Sequence, residues 1–327
     1  MSMFRLALTI AIIFSLQINS RSYIDYESPY HPTVGKSGMV VSQNYLSSDI
    51  GLEILNKGGN AVDAAVAVGF SLAITLPRAG NLGGGGFMLV YIKEKNEIYY
   101  IDYRSRSPLN SNLENIFDIA NITDTPYEVV PKSFDDKKFD IVDTGYKASA
   151  VPGTVAGLLD AHANFGKLKL KDILEPVIAL AENGIQVSYD LHKAIESTPR
   201  LFNDPESQRI YFRDGKPIEE FSILKLPDLA NTFKLISKHG KDGFYKGETA
   251  MRIVEAMNKN NGLIAMNDLN NYQADFRQPI STNYRGNKVF TAGPPSGGGI
   301  TLLTALNILS FYDLQKFKSS SIKTYHL

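Results

Sequence analysis

Residues 80–87 read Gly80-Asn81-Leu82-Gly83-Gly84-Gly85-Gly86-Phe87, and the elements on either side decide what such a glycine run can be. A phosphate-cradling loop needs a strand, then glycines, then a helix whose positive N-terminus faces the anion. Here the order is reversed. Upstream, Ala61 to about Leu76 has helical character and ends at Pro77; downstream, Phe87 to Ile92 has strand character. The helix turns its electronegative C-terminal end toward the glycines, which repels phosphate. The run predicts instead a tight backbone path against which another part of the chain packs very closely.

Working outward, Asn60 is placed to cap the upstream helix, and Asp63 in its first turn suits the helix dipole. From Ala64 to Leu76 this helix is apolar nearly all round and rich in alanine, so it is expected to be buried. Before it, Met39 to Ser42 reads as a short buried strand. Ser47 and Ser48 then precede an amphipathic helix carrying Ile50, Ile54 and Leu55, stopped by Gly58-Gly59. After the glycines, Phe87–Ile92 and Ile98–Tyr103 flank the polar turn Lys93-Glu94-Lys95-Asn96, which predicts a hairpin. Residues 109–146 are polar and irregular, with lysines and aspartates clustered at 135–138, and read as a surface excursion. A helix is expected to open at Pro152-Gly153-Thr154 and run to Phe165. From about 168 to 275 the pattern is mainly helical, clearest at Leu170–Asn183, Leu226–His239 and Glu248–Asn258. Tyr284 to Ala292 returns to strand character, and Pro294-Pro295-Ser296-Gly297-Gly298-Gly299 opens a helix over Ile300–Leu309. Ser321 to Leu327 begins another helix without a cap or polar close, a pattern that predicts truncation.

Composition narrows the function. The 327 residues hold 34 Lys plus Arg against 34 Asp plus Glu, so no net field recruits nucleic acid or an anionic membrane. The absence of cysteine removes thiol nucleophiles, thiolate metal sites and disulfides together. Five histidines occur and no two fall at H-x-x-x-H spacing, so neither a metal nor another cofactor is expected. At the N-terminus, Arg5 precedes an apolar run from Leu6 to Leu16, followed by polar Gln17 to Ser20. That is the layout of a secretory signal peptide over residues 1–20, with Ser20 as a candidate cleavage point. The run is well short of the roughly 20 residues that span a bilayer, so a periplasmic or secreted location is expected ahead of a membrane anchor.

Few side chains offer chemistry. Asp102-Tyr103-Arg104-Ser105-Arg106 closes the second hairpin strand, and strand alternation sets Tyr103 opposite both Asp102 and Arg104. Arg104 at that end can present its planar fork to a carboxylate, or serve as a plain surface or salt-bridging arginine. Arg106 is its same-face neighbour, and the residues alone do not choose between them. Ser296 either lines a pocket or belongs to a plain turn into the following helix. Glu219-Glu220 sit in polar sequence and read as solvent-facing carboxylates. No G-x-S-x-G occurs, so a hydrolase nucleophile elbow is absent from the sequence.

Eight collinear segments together resemble the γ-glutamyltranspeptidase family, in its order and spacing from about residue 35 onward. They are Gly38–Ser42, Gly58–Ala67, Gly80–Phe87, Asp102–Arg104, Val151–Gly157, Leu180–Gly184, Tyr284–Gly286 and Pro294–Gly298. The resemblance implies an α+β N-terminal-nucleophile hydrolase with an αββα sandwich, of which residues 21–327 form an incomplete, large-subunit part. Such a precursor cleaves itself, and the freed N-terminal threonine of the small subunit attacks the γ-glutamyl amide of glutathione or a related compound. The γ-glutamyl group then passes to water or to an amino-acid or peptide acceptor. Arg104 matches the family's arginine that grips the substrate α-carboxylate; Ser105 stands where many members have glutamate and Ser107 where alanine is usual, which keeps Arg106 as a lesser candidate. The nucleophile's T-T-H-x-S type segment does not occur, and Thr324-Tyr325-His326 is too early and in the wrong context to replace it. No catalytic residue is therefore expected in this chain, and the chain alone is expected to be silent, its partner small subunit missing. Two other readings are a cephalosporin-type acylase of the same family and a non-catalytic exported binding or scaffold fragment.

Overall fold

The computed structural model describes residues 34–112, 145–317 and 321–326. The expected signal peptide and most of the 109–146 excursion lie outside the described residues. The compact unit runs from Val40 to Leu327, and the elements below belong to it.

Helix α1, Tyr45–Asn56, starts two residues before Ser47 because Asn44 caps it, accepting from the Leu46 amide. Ser47 is instead a buried residue whose hydroxyl meets that of Thr75 at 2.8 Å. Helix α2, Ala61–Thr75, is closed by a capping box in which Asn60 and Asp63 each bond the other's backbone. Its apolar circumference is covered by α1, by α3 (Thr154–Phe165) and by α4 (Leu170–Asn183). Close approach depends on small side chains: a Cβ on Gly69 would strike Leu158 of α3. Phe70, Val66 and Ile74 are fully buried in this contact.

The expected strand at Met39–Ser42 is corrected. The segment pairs with no described strand; the Ser42 amide donates to the Ser48 hydroxyl, and the Val41 residue is 81% exposed. A lone strand has no ladder to bond, so local side-chain bonds take over.

Strands β1 (Phe87–Ile92) and β2 (Glu97–Asp102) form the expected hairpin, with Phe87 opposite Asp102 and Ile92 opposite Glu97. The 168–275 region is mainly helical as read, adding α5 (Pro227–His239), which packs on α4, and α6 (Gly247–Lys259). Short two-residue pairings interrupt it at Ile185–Gln186 with Ile223–Leu224 and at Phe212–Arg213 with Lys216–Pro217. Strand β3, Asp275–Arg277, then joins the far side of β2, giving the sheet order β1-β2-β3.

Register assigns the faces of this sheet. Met88, Val90, Ile92, Tyr99 and Ile101 share one face and pack into the helical core, with the Tyr99 ring 4.7 Å from that of Phe165. Phe87, Leu89, Tyr91, Tyr100, Asp102 and Arg277 share the other. On that second face Leu89 is 41% and Tyr91 57% exposed.

The single strand expected over Tyr284–Ala292 is a hairpin, β4 (Ile280–Tyr284) with β5 (Asn287–Thr291). Arg285 and Gly286, both at positive φ, make the turn, the geometry that a two-residue hairpin loop requires. Helix α7, Gly297–Leu309, begins three residues earlier than expected and packs on β4. The sequence from Ser321 ends in a short helix, Ile322–His326. The fold is α+β.

Candidate functional site

The site is built on the end of β2. Asp102 is its last residue, and its side chain is only 8% exposed. One carboxylate oxygen accepts from the Arg104 amide at 3.1 Å. The other pairs with Arg277 Nη1 at 2.8 Å, and the same Nη1 donates to the Pro294 carbonyl at 2.7 Å. This bond to Asp102 raises the Arg277 pKa further. A single buried carboxylate thus joins the end of β2 to the Pro294-Pro295 turn.

Tyr103 turns away from both neighbours, as alternation requires, and lies against α3. A Cβ on Gly157 would collide with its ring, and one on Gly86 would meet the same ring. Burial pushes the Tyr103 phenol up to about 12. Two backbone bonds, Tyr103 N to Gly86 O and Gly86 N to Tyr103 O, carry the hairpin pairing one step beyond β2.

The glycine run is the tight path read from the sequence. A side chain on Gly85 would strike the Tyr103 carbonyl and the Ser105 amide. The Gly84 carbonyl accepts from the amides of Gly153 (2.7 Å) and Thr154 (3.1 Å). Those amides belong to the start of α3, where helix N–H groups lack partners of their own. A helix N-terminus does meet these glycines, but it takes a backbone carbonyl.

Arg104 sits at the rim of this packing. Its amide is held by Asp102, and its carbonyl accepts from the Tyr272 hydroxyl at 2.7 Å. The side chain is exposed, and its guanidinium pairs with no described residue. Arg106 differs sharply. Its guanidinium pairs with Asp275 Oδ2 at 2.7 Å and lies 5.3 Å over the Tyr272 ring, and its backbone bridges Val151. Of the two arginines, Arg106 is committed to local contacts, and no described residue takes the Arg104 fork.

Tyr272 is buried and stacks on Tyr245, with ring centres 5.7 Å apart and planes at 4°. The Tyr245 hydroxyl donates to the Pro152 carbonyl at 2.8 Å and accepts from the Ala156 amide at 3.1 Å. Burial raises both phenols, Tyr272 to about 12 despite the opposing Arg106 charge. Both are neutral donors at ordinary pH.

The remaining candidates fall elsewhere. Ser296 is the N-cap residue of α7 and makes no side-chain cap bond, whereas a Cβ on Gly299 would strike the Ala292 carbonyl. Packing of that turn therefore explains its last glycine. Glu219 is exposed and Glu220 half-buried in a turn. An open groove of about 1000 Å³ runs between the second sheet face and the β4–β5 hairpin, lined by Tyr91, Tyr100, Arg277, Ser281, Lys288 and Phe290 among others. Arg104 does not line it. Among the described residues, no group of three His, Asp or Glu could hold a metal ion.

The α+β fold thus carries an exposed arginine on a backbone bonded at both of its polar groups, and a guanidinium is the side chain whose planar fork matches a carboxylate. The gamma-glutamyltranspeptidase family model matches residues 47–327, and the chain belongs to that family. It is 38% identical over 298 residues to the glutathione hydrolase proenzyme of Escherichia coli, covering 90% of this chain and 49% of that protein. It is 34% identical to the acylase ACY 1 proenzyme of a Pseudomonas species, over 93% of this chain and 53% of that protein. The crystal structure of Helicobacter pylori gamma-glutamyltranspeptidase superposes with a TM-score of 0.81 at 35% identity, covering 90% of this chain and 81% of that one. The chain spans about half the length of the curated relatives it matches.

Sequence reasoning quoted Asp102 without giving it a role, and it passed over Tyr245, Tyr272 and Arg277. Tyr272 meets Arg104 across 168 positions and Arg277 meets Asp102 across 175, so no local periodicity reports either contact. The strand-like run Asp275-Phe276-Arg277 at the end of a helical region was the one available signal.

Proposed function

We propose that this chain is the large-subunit part of a γ-glutamyl hydrolase and transferase made as a proenzyme, and that Arg104 takes the substrate's α-carboxylate. The observation that carries this reading is the division of labour between neighbouring arginines: Arg106 is committed to Asp275 and Tyr272, while the Arg104 fork, on a fixed backbone, pairs with no described residue. A γ-glutamyl compound offers one free carboxylate beside the amine, and a guanidinium receives it through two parallel charge-assisted bonds. Anchored there, the γ-amide extends toward an N-terminal threonine supplied by the small subunit, whose own amine serves as base. Attack forms a tetrahedral intermediate whose oxyanion backbone amides stabilise. Its C–N bond then breaks, the amine leaves with the proton the threonine amine took up, and the γ-glutamyl ester left behind is released by water or an amine acceptor.

The same reading includes the αββα sandwich, with the small subunit's strands covering the open sheet face of Leu89 and Tyr91, and export directed by residues 1–20. Glutathione and related γ-glutamyl compounds are the proposed substrates. A second reading is an acylase for cephalosporin-type side chains; the likeness to the ACY 1 proenzyme supports its acylase part.

The test compares the purified 327-residue chain with a complete form carrying the nucleophile segment, on γ-glutamyl-p-nitroanilide. The chain alone is expected to release no p-nitroaniline, and release by it overturns the division into two parts. In the complete form Arg104→Ala removes a contact worth about 1.5–3 kcal/mol, a loss of roughly 10- to 150-fold in kcat/KM. An Arg104→Ala enzyme with wild-type kcat/KM rejects the assignment. Faster turnover of a cephalosporin side-chain amide than of the γ-glutamyl anilide selects the acylase.

A further inference from the structure

The Arg104 backbone is bonded at both of its polar groups by side chains, one from its own strand and one from a distant loop. We propose that Tyr272 is a positioning residue for Arg104, its hydroxyl fixing the peptide from which the guanidinium departs. The inference rests on the reading of Arg104 as the carboxylate clamp.

Tyr272 has little freedom of its own. Its ring lies parallel on Tyr245, which is tied by its hydroxyl to both ends of the Pro152–Ala156 turn. The Arg106 guanidinium covers the Tyr272 ring and is itself held by Asp275. The phenol tip enters a slot left open by Gly153, where any Cβ would strike both the Tyr272 hydroxyl and the Tyr103 carbonyl. From that slot the hydroxyl donates to the Arg104 carbonyl at 2.7 Å. Gly153 therefore serves the arginine by making room for the phenol.

The consequence is preorganisation. An arginine side chain is long and flexible, and ordering it on binding costs affinity. Fixing the peptides on both sides of Arg104 sets the direction of its Cα–Cβ bond before substrate arrives. Asp102 fixes the peptide before it and Tyr272 the peptide after it. A bidentate contact depends on the angle of the fork, so loss of either bond weakens carboxylate binding without touching the reacting amide.

Tyr272→Phe tests this, because it keeps the ring stack and removes only the hydroxyl. Ile173→Val, a fully buried change in α4 away from the site, controls for general loss of stability. Two measurements are made. In the 327-residue chain, hydrogen exchange is followed at the amides of residues 103–106; in the complete form, KM and kcat are measured on γ-glutamyl-p-nitroanilide beside Arg104→Ala. For Tyr272→Phe we expect KM to rise about fivefold with kcat little changed, the effect of one net hydrogen bond. Exchange at 103–106 is expected to quicken by about tenfold while α2 stays protected, and Ile173→Val does neither. Wild-type KM and wild-type exchange in Tyr272→Phe overturn the proposal. Faster exchange with unchanged KM makes Tyr272 purely structural and also overturns it. Should Arg104→Ala keep the wild-type KM, the clamp reading fails first and the positioning role falls with it.

Discussion

Arg104 and Arg106 stand two residues apart on one strand end, and their fates are set by what reaches them from residues 272–275. Asp275 and the face of Tyr272 consume Arg106, whereas only the rim of Tyr272, its hydroxyl, reaches Arg104, and it does so at the backbone. The phenols around this point also fix a pH limit. Tyr103 and Tyr272 are both raised by burial to about 12, against about 10 in an unfolded chain. Below pH 10 both states hold the proton and the full stability is present. Between pH 10 and 12 the unfolded chain releases protons that the native one keeps, so the unfolded state binds fewer and stability falls as pH rises. Urea midpoints measured from pH 8 to 12 should fall above pH 10, and Tyr103→Phe should flatten that fall; a midpoint level to pH 12 contradicts the burial of these rings. The place of Arg104 just past a strand end could be read from the sequence, because it lies within a recognisable segment. Its supports could not, since Tyr272 and Arg277 lie more than 160 positions away and have no regular spacing to betray them.

Among the elements, α2 shows how far local pattern reaches. Its limits followed from Asn60, the apolar alanine-rich run and Pro77, and the structure places the helix at Ala61–Thr75. What the pattern did not reveal is that Asp63 does more than complement the dipole. It is fully buried and accepts from the Asn60 amide at 2.9 Å and from the Lys167 amide at 2.9 and 3.0 Å, with the Leu168 amide at 3.3 Å. Asn60 Nδ2 adds a bond to the Phe165 carbonyl at 2.6 Å. One carboxylate therefore starts α2 and finishes the chain's exit from α3, tying together two helices that pack on each other. Asp63→Ala takes the partner from several part-buried amides, at up to about 1–3 kcal/mol for a donor so stranded, and the expected loss is roughly 3 kcal/mol. A drop of under about 1 kcal/mol in a denaturant titration would show that water replaces the carboxylate. Where pattern misled, the cause was a missing or unforeseen partner. Met39–Ser42 has strand composition and no described strand to pair with, and Tyr284–Ala292 gave no sign that Ile280–Tyr284 would fold back on it.

At the scale of the whole chain the unequal covering of its elements is the informative feature. The three-stranded sheet is packed by helices on the face of Val90 and Ile101, while Leu89 and Tyr91 on the other face stay largely exposed. Helix α7 is apolar along its length, yet only Gly299 in it is buried; Ile300, Leu302 and Ile308 are exposed, and Phe311 beyond its end is 86% so. A helix that is apolar all round belongs in an interior, and a soluble protein seldom leaves a broad apolar surface uncovered. Among the described strands β1 is also an edge, its side beside Leu89 and Tyr91 paired with no described strand, which is the usual template for non-native pairing. These surfaces fit a chain spanning about half the length of its relatives. The 327-residue chain on its own is therefore expected to bind the dye ANS at neutral pH and to self-associate as its concentration rises. Lysine at Leu89 and Ile308 should suppress that association with little loss of stability, because neither side chain is buried in the described packing. Sedimentation and ANS titration of the wild type and of the Leu89→Lys/Ile308→Lys double variant measure both effects. A wild-type chain that stays monomeric, binds no dye and melts in one sharp transition would show that these faces need no second half to cover them.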